Sequence, residues 1–319
     1  MTMNSLTYRT YQPGDENGII SLWNDCITGD PITPLRFRKL VLLDPNFDSE
    51  GLRIAESDGR IVGVLYALRR RLPMIGTDLE PEHGWITFFC TDPAVRRQGV
   101  GTRLLREGES FLRQHGRSKV FFSSYAPNYI VPGMDAERYP EGHAFLTMHG
   151  YTRNYTAVAM DRSLTDFQIP QDVAELKRQR EQEGYSFTLA QDRDLVELIA
   201  FATDVFNPDW GRAIREGLLQ QLRLEQILIA RDQGKLVGFC LHGAYEGVAE
   251  RFGPFGVDPS QQGKGIGKIL LYDCLALKRA QGLHGSWFLW TGEQSPAGHL
   301  YRRAGFHVTR RFDIMSRSL

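Results

Sequence analysis

Two glycine-rich segments have the residue types and spacing best suited to chemistry: Arg96-Arg97-Gln98-Gly99-Val100-Gly101 and Gln262-Gly263-Lys264-Gly265-Ile266-Gly267. Each follows an apolar run (85–90 and 254–257) and each leads into a helical pattern. A helix starting at such a turn leaves its first backbone N–H groups unpaired, and its dipole adds partial positive charge at that end. Glycine permits the tight turn and lets the oxygens of an anion approach the backbone. Arg96, Arg97, Lys264 and Lys268 add charge beside the loops. The chemistry implied is the holding of a phosphate-bearing ligand. The spacing excludes two common versions of it. A dinucleotide fingerprint, G-x-G-x-x-G, fails because Gly265 is followed by Gly267 and then Lys268; a P-loop fails because Gly263-Lys264 is followed by Gly265 rather than Ser or Thr. Glycines at one such turn could serve the turn alone, but two loops at matching places argue for a ligand.

The elements that must position these loops occur twice. Residues 52–65 (LRIAESDGRIVGVL) and 227–240 (ILIARDQGKLVGFC) each read as two apolar strands around a short turn, at Asp58-Gly59 and Gln233-Gly234. Further on, DPAVRRQGVG at 92–101 matches DPSQQGKGIG at 258–267, and FLTMHGY at 145–151 matches LYRRAGF at 300–306. Three matched segments in the same order define one plan used twice. In the first copy, strands are expected at 6–10, 52–65, 85–90 and 119–124, with helices at 15–23, 34–42 and 99–114. In the second, strands are expected at 185–189, 227–240, 254–257 and 285–290, with helices at 192–206 and 265–279. In the helix at 192–206, Leu195, Leu198, Ile199 and Thr203 share a face, and Leu270, Leu271, Cys274 and Leu277 make the buried stripe of the last helix. Between the copies, 165–184 holds Pro170 and a charged run, read as a linker helix with little to bury. The expected domains are therefore 1–164 and 185–319, each a mixed α/β unit.

Bulk properties narrow the function classes. The 319 residues suit two domains, and 42% apolar with 24% charged composition excludes wholesale disorder. Thirty-eight basic and thirty-eight acidic residues cancel, which removes the electrostatic footprint of a dedicated nucleic-acid binder. No apolar run approaches a bilayer span, and the first ten residues contain no apolar leader segment. Cys26, Cys90, Cys240 and Cys274 are scattered, so neither a disulfide framework nor a zinc site is expected and a cytoplasmic setting is.

The pattern [RQ]-x-x-G-x-G at a strand–helix junction resembles the acyl-CoA loop of the GNAT superfamily of N-acetyltransferases. Arg96, Gly99 and Gly101 match it in the first copy, and Gln262, Gly265 and Gly267 in the second. Val257-Asp258-Pro259, its weaker counterpart Thr91-Asp92-Pro93, and the ending Leu300-Tyr301-Arg302-Arg303-Ala304-Gly305-Phe306 are also similar to that family. The resemblance covers nearly the whole chain and implies two tandem α/β domains, each a mixed, mostly antiparallel sheet flanked by helices. It also implies an N-acetyltransferase that uses acetyl-CoA or another acyl-CoA as co-substrate, without a metal. The pantetheine arm would lie along the strand before each loop, at Phe255, Gly256 and Val257 in the second copy and at Phe89, Cys90 and Thr91 in the first. Backbone amides of Gln262, Gly263, Lys264, Gly265, Ile266, Gly267 and Lys268 would hold the pyrophosphate, as would Arg96, Arg97, Gln98, Gly99, Val100, Gly101 and Thr102. Gln294, where the family carries asparagine, is a further cofactor contact.

The resemblance also assigns catalysis. Direct attack by an amine on a thioester needs positioning, a base for the amine and an acid for the departing thiolate. Tyr301 takes the family's acid position, whereas the first copy has Leu146 there, which cannot donate a proton; the second copy is therefore expected to be the active one. Glu250 is the base expected, with Glu246, His242 and His299 as alternatives. The long segment 125–140, rich in Pro and Tyr, could line a pocket or form a packing surface between domains, and the second reading is favoured. Trp287, Phe288 and Trp290 are expected to be mostly core. The acceptor is expected to be a small-molecule or peptide amine, with neither nucleic acid nor membrane as partner, and the chain a monomer or homodimer. The competing function is a non-catalytic acyl-CoA-binding or sensing protein.

Overall fold

The computed structural model describes residues 6–319; the first five, part of the segment read above for the lack of a leader, lie outside it. The chain divides into two compact units. Unit 1 contains residues 6–73, Asp78–Ala157 and Arg311–Leu319; unit 2 contains Met74–Thr77 and Val158–Arg310. The last nine residues thus complete the first unit rather than the second.

In unit 1 the elements are β1 (Leu6–Thr10), α1 (Glu16–Cys26), α2 (Pro34–Phe37), β2 (Leu52–Ser57), β3 (Arg60–Leu68), β4 (His83–Thr91), α3 (Val100–Gln114), β5 (Lys119–Phe122) and α4 (Pro140–Met148). They are followed by β6 (Thr152–Ser163), which runs on into unit 2. Unit 2 continues with α5 (Gln171–Gln182), β7 (Tyr185–Leu189), α6 (Leu195–Phe201), α7 (Pro208–Gln220), β8 (Ile227–Asp232), β9 (Lys235–His242) and β10 (Phe252–Val257). After these come α8 (Ile266–Ala280), β11 (Gly285–Thr291), α9 (Pro296–Arg303) and β12 (His307–Ser318). No described helix is long and apolar enough to cross a membrane.

The repeat is visible in the backbone. Both hairpins close on two residues with positive φ, Asp58 (50°) with Gly59 (75°) and Gln233 (49°) with Gly234 (87°), the conformation that matches strand twist in a two-residue turn. Both also carry a bulge at the matching place, between Ala55 and Glu56 and between Ala230 and Arg231. In unit 1 the strands run β1-β2-β3-β4-β5-β12, antiparallel except for the parallel β4–β5 pair. In unit 2, β7-β8-β9-β10 form one antiparallel sheet and β11 pairs antiparallel with 158–163 of β6.

Each central sheet has a core on both faces. In unit 1, Ile19, Trp23 and Phe37 pack on one side, and Leu104, Leu105, Phe111 and Leu112 of α3 on the other. This is why β3 reads as a continuous apolar run rather than an alternating one. Unit 2 repeats the arrangement with Leu198 and Ile214 on one side and the α8 stripe on the other. That stripe differs from expectation at one position: Lys278 is fully buried where Leu277 was expected, and Leu277 is only partly covered. The expected helix at 192–206 ends α-helical geometry at Phe201 and continues as a π-helical segment, Ala202–Phe206. The stretch read as a linker also packs more closely than expected. Val173 is 1% exposed in the unit 2 core, and Lys177 pairs with Asp273 of α8 at 2.8 Å.

Candidate functional site

Both glycine loops are built alike. The strand ends at an aspartate whose carboxylate accepts a backbone N–H two residues on: Asp92 from Ala94 at 2.8 Å, Asp258 from Ser260 at 2.9 Å. A short 3-10 turn follows, then positive-φ residues (Arg97 and Gly99; Gly263 and Gly265), then the helix. Gly99 (φ 81°) and Gly265 (φ 77°) are the N-cap residues of α3 and α8, and neither supplies a side-chain cap. The opening N–H groups of both helices are left for an external acceptor. One step on, Gly101 and Gly267 sit against the strand's aromatic ring; a methyl group there would lie 3.1 Å from Phe89 and 3.3 Å from Phe255. These features fit a cofactor pyrophosphate at either loop.

The charged neighbours differ between units. In unit 1, Arg96 pairs with Glu141 at 2.9 Å, and Arg97 is exposed without an ion pair among the described residues. In unit 2, α5 lies beside the loop: Arg180 donates to the Lys264 carbonyl at 2.8 Å, and Lys268 pairs with Asp172 at 2.6 Å. The Lys264 ammonium donates to the Tyr185 hydroxyl at 2.9 Å and to Gln261 at 3.0 Å. Leu176 of α5 backs Gly265, where a Cβ would lie 2.6 Å from its methyl group. Gly265→Val therefore meets both an unfavourable φ, costing about 1–2 kcal/mol in the left-handed region, and a steric block. We expect it to weaken acyl-CoA binding to unit 2 by at least about tenfold, read as a lost site in calorimetric stoichiometry.

In both units the strand before the loop parts from its neighbour. In unit 1, β4 pairs with β5 only from His83↔Lys119 to Ile86↔Phe122, which leaves 87–91 unpaired on that side. The gap opens into a cavity of about 1000 Å³ lined by that half-strand, the loop, the end of α1 and residues 130–135 and 138–142. The segment favoured above as a packing surface thus lines a pocket. Its anchor is buried: Tyr125 is 1% exposed, its hydroxyl accepts from Asn46 at 2.8 Å and donates to Asp44 at 3.2 Å. Asn128 donates to the same Asp44 at 2.6 Å, and burial raises the Asp44 carboxyl above its usual range.

In unit 2, the backbone pairing between β10 and β11 is limited, among the described residues, to the bridge Arg251↔Trp287 just before β10, where the Trp287 backbone N–H donates to the Glu250 carbonyl at 3.1 Å. Beyond it lies a cluster of rings around Tyr301, with Phe288 at 4.5 Å, Phe306 at 5.7 Å, Phe252 at 5.8 Å and Phe255 at 6.2 Å between centroids. The Tyr301 hydroxyl makes no hydrogen bond among the described residues, and burial pushes its pKa far up, so it stays protonated. The matched Leu146 is buried and apolar.

The base candidates separate by environment. The carbonyl of Glu250 is engaged by Lys278 at 2.8 Å, while its half-buried carboxylate makes no hydrogen bond among the described residues. Glu246 is tied to Arg251 at 3.1 Å. Gln294 and His299 are exposed. His242 is fully buried; its Nδ1 is 2.8 Å from the Ala249 carbonyl, and desolvation brings its pKa down to about 4, far from a base poised at neutrality. Its folded-state value lies below the unfolded one, so the unfolded chain binds more protons between pH 6.5 and 4 and stability falls as pH drops through that window. We expect His242→Asn to flatten the acid limb of thermal unfolding of unit 2, an effect on the order of 3 kcal/mol at full extent.

Two features escaped the sequence reading. Lys278 donates to the Glu250 carbonyl and to Ser286 Oγ at 2.6 Å, with burial bringing its pKa down to about 8; a lysine at a helical core spacing was the available signal. The second is an asymmetry beside the parted strands. Gly256 is crowded by the Phe206 ring, 2.6 Å from a Cβ placed there, and Phe206 stacks on Trp210 at 5.1 Å. At the matching place unit 1 has Cys90, with Cys26 across from it.

Comparison with known proteins agrees with this geometry. Residues 19–130 match the acetyltransferase (GNAT) family, and residues 223–308 match a second acetyltransferase (GNAT) domain description. The chain is 27% identical over 307 residues to the mycothiol acetyltransferase of Clavibacter michiganensis, covering 92% of this chain and 89% of that one. It is 30% identical over 227 residues to that of Clavibacter sepedonicus, with 68% of each covered. Among solved structures, a tandem GNAT protein from the clavulanic acid biosynthesis pathway superposes with a TM-score of 0.65 at 15% identity, covering 98% of both chains. Two matched loops, two parted strand pairs and relatives spanning most of its length show that this chain is an N-acetyltransferase belonging to the GNAT family, of the tandem two-domain type.

Proposed function

We propose that the protein moves an acetyl group from acetyl-CoA to the primary amine of a small molecule, with transfer in unit 2. The observation that carries this is Tyr301, a proton donor held protonated among rings beside the parted β10 and β11. Acetyl-CoA supplies an activated thioester. The N–H groups of Ile266, Gly267 and Lys268 hold its pyrophosphate, and the backbone of Phe255, Gly256 and Val257 aligns the pantetheine arm. The Tyr301 hydroxyl gives its proton to sulfur, a step that general acids accelerate by roughly 10²–10⁴-fold. The Glu250 carboxylate takes the proton that the ammonium must lose before the amine can attack. Gln294 contributes a polar contact at the mouth.

The acceptor of the mycothiol acetyltransferases is the first to try, followed by other small amines and by peptide termini. Thiol release from acetyl-CoA in the presence of each amine tests the proposal. Release with at least one of them supports it; tight acetyl-CoA binding with no release for any would establish the binding-protein reading instead. A second reading puts transfer in unit 1, favoured by the cavity of about 1000 Å³ there and opposed by Leu146.

A further inference from the structure

We propose that Cys26 and Cys90 form a thiol–disulfide exchange site in the wall of the unit 1 cavity, with the disulfide of a small-molecule thiol as oxidant. Cys26 is the last residue of α1, and Cys90 lies in the half of β4 that has no strand partner on the cavity side. The fold brings these distant positions together: the Cys26 thiol donates to the Thr91 carbonyl at 3.4 Å, and both cysteines line the cavity. All four cysteines are free, but they are not equivalent. Cys26 is half-buried and open to the cavity, whereas Cys240 and Cys274 are fully buried in the unit 2 core. Contact with the Cys90 thiol, assisted by the Arg96 guanidinium, holds Cys26 below the usual thiol range; contact with Cys26 and burial raise Cys90. Cys26 is therefore the attacking group and Cys90 the resolving one.

The chemistry closes in two steps. The Cys26 thiolate attacks one sulfur of the small disulfide, forms a mixed disulfide, and releases one small thiol that takes up the Cys26 proton. Cys90 then attacks Cys26 Sγ, closes the Cys26–Cys90 bond and releases the second small thiol with the Cys90 proton. Two cysteines lose two electrons and the small disulfide gains them. The product ties the end of α1 to the half-strand beside the loop within the cavity wall.

The test treats the intact protein with glutathione disulfide and follows each cysteine by peptide mass spectrometry. We expect a Cys26–Cys90 linked peptide, reversed by dithiothreitol, with Cys26 reacting at least about tenfold faster than Cys240 or Cys274. The Cys90→Ser variant should stop at a mixed disulfide on Cys26, and Cys26→Ser should leave Cys90 reduced. The proposal is overturned if Cys26 and Cys90 both stay reduced in the folded protein, or if Cys90 reacts equally well in Cys26→Ser. The readout is independent of acetyl transfer, so it stands apart from the outcome of the activity assay.

Discussion

Tyr301→Phe lowers the rate of acetyl transfer by roughly 10²–10⁴-fold, leaving the fold and acetyl-CoA affinity nearly unchanged. The substitution removes one oxygen that has no hydrogen-bond partner among the described residues, from a ring packed by four phenylalanines. The expected change in stability is therefore small, within about 1 kcal/mol. Because burial raises the tyrosine pKa far above neutrality, the wild-type rate should not fall on the alkaline side through loss of this proton. Steady-state kinetics alongside thermal unfolding separates the outcomes: equal turnover with an intact fold removes Tyr301 as the acid. With transfer in unit 2 as proposed, a companion change at Leu146 should leave turnover unaltered.

Deleting residues 311–319 is expected to unfold unit 1. Phe312, Ile314 and Met315 are buried at 0%, 3% and 1% exposure, and Met315 belongs to the core that α3 covers. Losing three such side chains costs on the order of 5–9 kcal/mol, comparable with the whole stability of a typical domain. The deletion also strips β5 of its partner on one side, at Lys119↔Ser318 through Phe122↔Met315. Circular dichroism and limited proteolysis should show unit 1 digested while unit 2 persists. A truncated chain whose unit 1 resists protease as well as the full chain would contradict this placement of β12.

What was legible in the sequence is what local chemistry fixes. Asp58-Gly59 and Gln233-Gly234 specify their turns through backbone conformation alone, and Gly99, Gly265, Asp92 and Asp258 specify the loops in the same way. Tyr301 could be picked out by its place in a motif, but three of the four rings around it come from two other strands, β10 and β11. The cavity of unit 1 was hidden for a different reason. Its wall at 125–140 has no period to read, and its path is fixed by contacts distant in sequence, such as those of Tyr125 with Asp44 and Asn46 and the bridge of Met134 to Asp313. Likewise Lys278 resembles a surface lysine until Ser286 and the Glu250 carbonyl are seen to accept its protons. The destination of β12 was the least legible, because strand pairing across nearly two hundred residues leaves no local mark.

That last strand sets the order of events during synthesis. The ribosome delivers the body of unit 1 first, yet its sheet lacks an inner partner for β5 until Arg311–Leu319 has emerged. All of unit 2 except Met74–Thr77, which is already made, is translated in the interval and can fold ahead of its predecessor. The nascent first unit must therefore wait with β5 uncovered on one side, and the elongation time over residues 158–310 becomes the window in which it is exposed to chaperones and to misassociation.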